Sequence, residues 1–411
     1  MNSMEIYQTK RHLNTFIDKL TKGLSKPRQK FFRDLVYGIS KANSVILSDI
    51  GRSLEEECDI QYIIKRLSRQ LTKGADSSIL HQNYLNSIKK AIPDNALILV
   101  DQSDIIKPYA EKMEALSPVF DGSTKKIEKG YHTINFSTAT IQTKHPIPLY
   151  SHVCSSKEEQ FQSLNVEEIK GFQMIHEVMG EKPCTFVMDR GYDSNVMYEA
   201  IDKLDRQFVT RLKDNRYLIH KNKRVKVPTL ANKRKGKINF CTEIKGKTYH
   251  LKVSHVKVKL PILKETPLNM IVVYGYGQKP MKLLTNHEIK GKHDVLRILK
   301  AYITRWRIEE LFRVQKQEFH LEAMRTMSLM SLRTLYRIVN YVIGYYSLLI
   351  EKNTGLTQII LARSQSSNPL SKIKFYLYRM IRGVRAILSS DKKGINHFHF
   401  VKRRTSQLTL W

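Results

Sequence analysis

Acidic residues are scarce in this chain. It has 38 Asp and Glu against 70 Lys and Arg in 411 residues, a formal net charge of +32. Such a deficit calls for a polyanionic partner, nucleic acid first. A membrane surface fits less well, because the basic residues are spread along the chain and not gathered beside an apolar anchor. Cysteine is scarce too. Cys58, Cys154, Cys184 and Cys241 stand far apart without a CxxC pair, which speaks against a zinc ribbon or a disulfide framework and leaves reduced, buried small hydrophobes. There is no P-loop and no GxGxxG, so a nucleotide cofactor has no visible cradle. No apolar run is long enough for a bilayer: the best, Leu335 to Ile350, carries Arg337, Asn340 and four tyrosines. The N-terminus, MNSMEIYQTKRHL, has no apolar signal core. These absences point to a soluble, cytoplasmic protein.

What is present begins with a helical, basic stretch over residues 1–90. Ser25 before Lys26-Pro27 marks a helix start, and Phe31, Phe32, Leu35 and Val36 follow at helical spacing. A second unit spans Val45 to Leu71 and breaks at the polar run from Glu55 to Asp59. Its last helix carries Lys65, Arg66, Arg69 and Lys73 on the outer side. Two short helices with a basic second member suggest a helix-turn-helix-like DNA reader; a plain helical bundle is the simpler alternative.

The pattern changes near Asn95. Ala96 to Val100 is a continuous apolar run of the kind buried on both faces of a sheet, and it meets Asp101. Open α/β sheets place their ligands at the carboxyl ends of such strands. Extended segments follow at Thr133–Gln142 and Pro146–Cys154, then an amphipathic stretch from Val166 to Met179. Cys184 to Met188 then repeats the first pattern and runs into Asp189. From Arg211 to Glu265 there are 17 basic and 3 acidic residues. Leu251 and Val253 alternate with polar residues, and the alternation slips to Val256, Val258 and Leu260, which suggests a bulge near His255. This is a β-rich insertion, over about 211–290, in a domain spanning 91–325; a helical C-terminal region covers 326–411.

The last helix of that domain is expected from near His293 to about Leu321. Its polar anchors are Tyr302, Arg305, Glu309 and Lys316. At about 100° per residue these fall within a sector of roughly 60°, with Trp306 about 40° from Tyr302. A charged helix stripe is usually a solvated face, and Arg305 with Glu309 is an ordinary i,i+4 pair. Asp101, Asp189 and Glu309 together are a different matter. Three hard carboxylates among cations suit phosphoryl transfer with two divalent ions, Mg²⁺ or Mn²⁺.

Tyr302-x-x-Arg305-x-x-x-Glu309 followed by Lys316 resembles the Tyr–Arg–Glu–Lys signature of bacterial insertion-sequence transposases of the DDE type, in the insertion-sequence-four group. The resemblance implies an α/β fold: a ribonuclease H-like catalytic domain with a β-rich insertion, flanked by helical N- and C-terminal regions. It implies that Asp101, Asp189 and Glu309 are catalytic and hold two Mg²⁺ ions, for which Mn²⁺ can substitute. It implies DNA contacts from Tyr302, Arg305, Trp306 and Lys316, beside those expected of Lys65, Arg66 and Arg69. Some relatives have a Trp on the insertion strand against which a displaced base stacks; Met281 stands there, and Tyr274 or Tyr276 could take its part. The implied activity is cut-and-paste transposition: cleavage at terminal inverted repeats and strand transfer into target double-stranded DNA. The implied assembly is a homodimer acting at the bacterial nucleoid, with no membrane. The alternatives are a silent transposase-derived DNA-binding protein, or a structure-selective nuclease on the same fold.

Overall fold

Ser25 and Pro27 do open a helix, and the later helices start where short polar side chains can cap them. The computed structural model describes residues 3–74, 77–122, 124–140, 144–244, 246–364 and 375–395. Five helices come first: α1 (Ser3–Leu20), α2 (Lys26–Ala42), α3 (Leu47–Ser53), α4 (Ile60–Leu71) and α5 (Ser77–Ile88). Asn43 ends α2 in the left-handed conformation, at φ 50°, and the Asp59 side chain caps α4 by accepting from the Gln61 amide.

Four strands follow: β1 (Ala96–Ile106), β2 (Ser117–Asp121), β3 (Lys126–Ala139) and β4 (Pro146–Cys154). Next come α6 (Leu164–Met179), β5 (Cys184–Met188), α7 (Asn195–Lys203) and β6 (Gln207–Arg211). Ser163 and Ser194 cap α6 and α7 through the Val166 and Met197 amides. The insertion supplies β7 (Tyr217–His220), β8 (Lys223–Lys226), α8 (Val227–Asn232), β9 (Ile238–Ile244), β10 (Lys247–Leu260) and β11 (Leu263–Tyr274). Then come β12 (Met281–Thr285), α9 (Lys292–Thr304) and α10 (Trp306–Arg313). Beyond lie α11 (Leu329–Lys352), α12 (Gly355–Ala362) and α13 (Leu377–Ser389). Lys372, Lys374, His397 and His399 lie outside the described residues.

The chain divides into two compact units, Met1–Lys89 with Val314–Trp411, and Lys90–Arg313. In the first, Lys10 is 1% exposed and donates to Asp391 and to the carbonyls of Lys393 and Gly394, so the start and end of the chain share one core. The second holds a mixed sheet in the order β2-β3-β1-β5-β6-β12-β11-β10-β7-β8, with β4 on β3 and β9 on β10. β1, β5 and β6 are parallel neighbours, and β3 runs antiparallel to β1. Their core is aromatic. Phe136 and Phe186 each meet Phe172 of α6 edge-on, at 5.3 and 4.8 Å between ring centroids. Among the described residues no helix is long and apolar enough to cross a membrane.

Three expectations need correction. β1 does not stop at Asp101: it runs on to Ile106 because β3 continues to pair with it through Gly130. There is no bulge at His255, where the pairing of β10 with β11 is continuous; the irregularity falls between Val258 and Leu260. The slip in alternation is real but has another cause. Leu251 and Val253 are buried, as are Val256, Val258 and Leu260, while Ser254 and His255 between them are not, so the two halves of β10 bury opposite faces. Finally, only Cys154 and Cys184 are buried; Cys58 and Cys241 are exposed.

Candidate active site

The register of the central strands brings the two aspartates together. Leu99 pairs with Val187 and Val100 with Met188 in parallel, so the next residues, Asp101 and Asp189, emerge side by side. Asp101 stays in the sheet opposite Asn135. Asp189 leaves it, and its carboxylate accepts from the Gly191 amide at 2.6 Å to cap a short 3₁₀ turn, Arg190–Tyr192. The expected single helix after β12 is in fact broken. At Arg305 the backbone tightens into i,i+3 bonds, Arg305 N to Tyr302 O and Ile308 N to Arg305 O, both 3.0 Å. A π turn, Val314–Glu318, follows α10, so the 100° step that aligned Lys316 with Glu309 no longer holds there.

Arg305 sits at the break and joins two of the acids. Its guanidinium donates to Asp101 Oδ2 and to Glu309 Oε1, each at 2.8 Å. The side chains of Asp101 and Arg305 are 19% and 18% exposed, a setting in which charge-assisted pairs of this kind are strong. Burial pushes the Asp101 carboxyl up to about 7; Arg305 opposes this, while Asp189 and Glu309 push it further up. The three acids therefore act on one another electrostatically. Tyr302 is 8% exposed. Burial raises its phenol, with Arg305 and Arg211 opposing and Asp189 adding to the rise, which puts it in the same cluster.

One acid of this neighbourhood escaped the sequence reading. Glu168 of α6 is 3% exposed and accepts from the side-chain amide of Gln102, the residue after Asp101. Burial raises its carboxyl, and the charge of Asp189 adds to the rise. Tyr192, 4% exposed, is pushed well above the usual phenol range by burial and by Glu168, Asp101 and Asp189. Gln102 following Asp101 was the only signal in the sequence, and it names no partner.

The other expected residues are dispersed. Trp306 begins α10 with the Arg307 guanidinium 4.2 Å over its ring. Met281 is 3% exposed in β12, opposite Val273, as a core residue of the sheet. Tyr274 donates its hydroxyl to the carbonyls of Ala231 and Arg234, while Tyr276 is 38% exposed beside Tyr249. Lys316 belongs to the other unit, where it pairs with Glu322 at 2.9 Å. In that unit Lys65 and Arg69 are exposed on α4. Arg66 is instead held by Glu56 at 2.6 Å and Asp34 at 3.1 Å.

Among the described residues, no three His, Cys, Asp or Glu side chains are gathered closely enough to hold an ion as they stand. The donor chemistry nevertheless fits a hard divalent cation. Asp101, Asp189 and Glu309 offer carboxylate oxygens alone, they repel one another, and a guanidinium already supplies positive charge between two of them.

Comparison with known proteins bears on this geometry. Residues 160–335 match the transposase DDE domain family, a stretch that begins ahead of α6 and holds Asp189, Tyr302, Arg305 and Glu309 but not Asp101. Among solved structures, the chain is similar to a piggyBac transposase in a synaptic complex with hairpin DNA, with a TM-score of 0.46 and 9% identity. That likeness covers 94% of this chain and 79% of the other. No curated protein matches the chain.

Proposed function

We propose that the chain is a DDE transposase of the insertion-sequence-four type, with a ribonuclease H-like catalytic domain, that cuts DNA at terminal inverted repeats and transfers the freed strand into target DNA. The observation that carries the reading is the meeting of Asp101, Asp189 and Glu309 around Arg305, from segments up to 204 residues apart. The family match over 160–335 and the net charge of +32 support it.

Asp101, Asp189 and Glu309 would hold Mg²⁺ or Mn²⁺, two ions whose chemistry is to sharpen an attacking oxygen and to take up charge on the leaving one. The protein's own part is positioning. Two adjacent strand ends fix the aspartates, and α10 brings Glu309 to them. Arg305, freed from its carboxylates when cations neutralise them, would turn its fork to a DNA phosphate. Tyr302 would pack beside that phosphate. Water attacks the phosphorus first and the DNA 3′ oxygen leaves; that 3′-OH then attacks a second phosphorus in strand transfer. Lys65 and Arg69 would meet the backbone of the repeat, and two chains would hold two ends.

The test is a duplex carrying the element's end, incubated with the protein and Mg²⁺. Cleavage that is lost in Glu309→Gln while end binding persists supports the reading. Parallel loss of both activities, or cleavage unaffected by the substitution, contradicts it.

A further inference from the structure

A cleft of about 640 Å³ opens beside the Asp189 turn, on the insertion side of the sheet. Its volume lies within the range of small-ligand sites. Its inner wall is rigid. Asp193, with a side chain 0% exposed, accepts from Tyr198, from the Lys213 amide and from Arg216, each at 2.7–2.8 Å. Arg216 also donates to Asn195 at 2.6 Å. The cleft adjoins the acids through Gly191, whose amide donates to Asp189 and whose carbonyl accepts from Lys213 Nζ at 3.4 Å.

The outer wall has a different chemistry. Tyr217 is 43% exposed, and the Arg224 guanidinium lies 4.4 Å over its ring. Leu260 lies on the apolar side of the same space. Among the described residues neither Lys213 nor Arg224 has a carboxylate partner, whereas Arg216 is neutralised by Asp193. An exposed aromatic–guanidinium pair beside cations without counter-charges is the equipment for stacking a base and holding its phosphate. A duplex offers a reader only its edges and backbone, so an open aromatic face suits a nucleotide with no partner base.

We infer that this cleft is a subsite for an unpaired nucleotide of the bound DNA, its base against Tyr217 and Arg224 and its phosphate toward Lys213. The inference rests on the DNA-processing reading above, and extends it to strands that are locally single. Nothing in the first reading requires it.

The experiment is fluorescence anisotropy on the full chain with two probes, a blunt duplex and the same duplex with a short single-stranded 3′ overhang. Wild type is expected to bind the overhang duplex about 5- to 100-fold more tightly, the range of one stacked base. Tyr217→Ala should abolish that preference, Tyr217→Phe should keep it, and Arg224→Gln should reduce it; blunt-duplex affinity should stay within about twofold in Tyr217→Ala. Equal wild-type affinity for the two probes, or a preference intact in both Tyr217→Ala and Arg224→Gln, overturns the inference and leaves the catalytic reading standing. No binding to either probe overturns the DNA reading, and the inference with it.

Discussion

Arg305 and Asp101 meet at 2.8 Å across 204 residues of sequence, and the same guanidinium reaches Glu309 at 2.8 Å. Only a planar fork can serve two carboxylates at once in this way. Arg305→Lys keeps the charge but loses the second contact. Cleavage should fall about 100-fold, the scale for one lost preorganised donor, with end binding changed much less. Single-turnover cleavage and a binding isotherm on the same DNA check this. An active Arg305→Lys chain would mean that the charge alone matters.

Glu168 holds the residue beside Asp101. Glu168→Ala leaves the Gln102 amide without its acceptor and should cost about 1–3 kcal/mol of stability. Glu168→Gln retains an acceptor oxygen and should keep most of it. Urea unfolding of the three proteins distinguishes this role from simple surface polarity, for which the two substitutions would behave alike.

Gly171 sets how closely α6 approaches the sheet. A Cβ there would collide with the Phe136 ring, and that ring is fully buried between Phe172 and Phe186. Gly171→Ala should therefore cost about 1–3 kcal/mol as an overpacked core. It should also weaken cleavage, because α6 carries Glu168. Thermal unfolding and the cleavage assay read the two effects separately.

His287 gives stability a pH dependence of defined sign. It is 6% exposed and bonded to Thr185 at 3.0 Å. Burial, then Arg297, pushes its imidazole down to about 4 from the ordinary 6.5. The unfolded chain thus binds a proton between those values that the folded chain refuses. This contribution is complete above about 6.5 and is lost as pH falls toward 4, by roughly 3 kcal/mol at most. Between about pH 7 and pH 5 wild type should lose more urea resistance than His287→Gln. Equal losses would show that His287 is not the group responsible.

How much of this was legible follows from particular residues. Ala96–Val100 and Cys184–Met188 read as buried strands because each is an unbroken apolar run, and burial on both faces demands that. The continuation of β1 past Asp101 was not legible. Gln102, Ser103 and Asp104 look like a turn, and only pairing with β3 keeps them extended. The break at Arg305 and the π turn at Val314–Glu318 carry no Pro or Gly to announce them. Glu168 was invisible for a related reason: it sits in an ordinary amphipathic helix, and its meaning comes from Gln102, 66 residues earlier. Likewise Arg66 reads as one more basic residue of α4 until folding sets Glu56 and Asp34 against it.

The central claim is that Asp101, Asp189 and Glu309 form one centre that both cuts and joins DNA. The most direct measurement supplies pre-cut element ends bearing free 3′-OH groups, a target plasmid and Mg²⁺, and looks for covalently joined product. The account expects joined product with wild type and none with Asp189→Asn, although Asp189→Asn still binds the ends. Cleavage of uncut ends with no joining would contradict it in favour of a nuclease. Binding with neither reaction would leave a DNA-binding protein whose three acids hold only Arg305 in place.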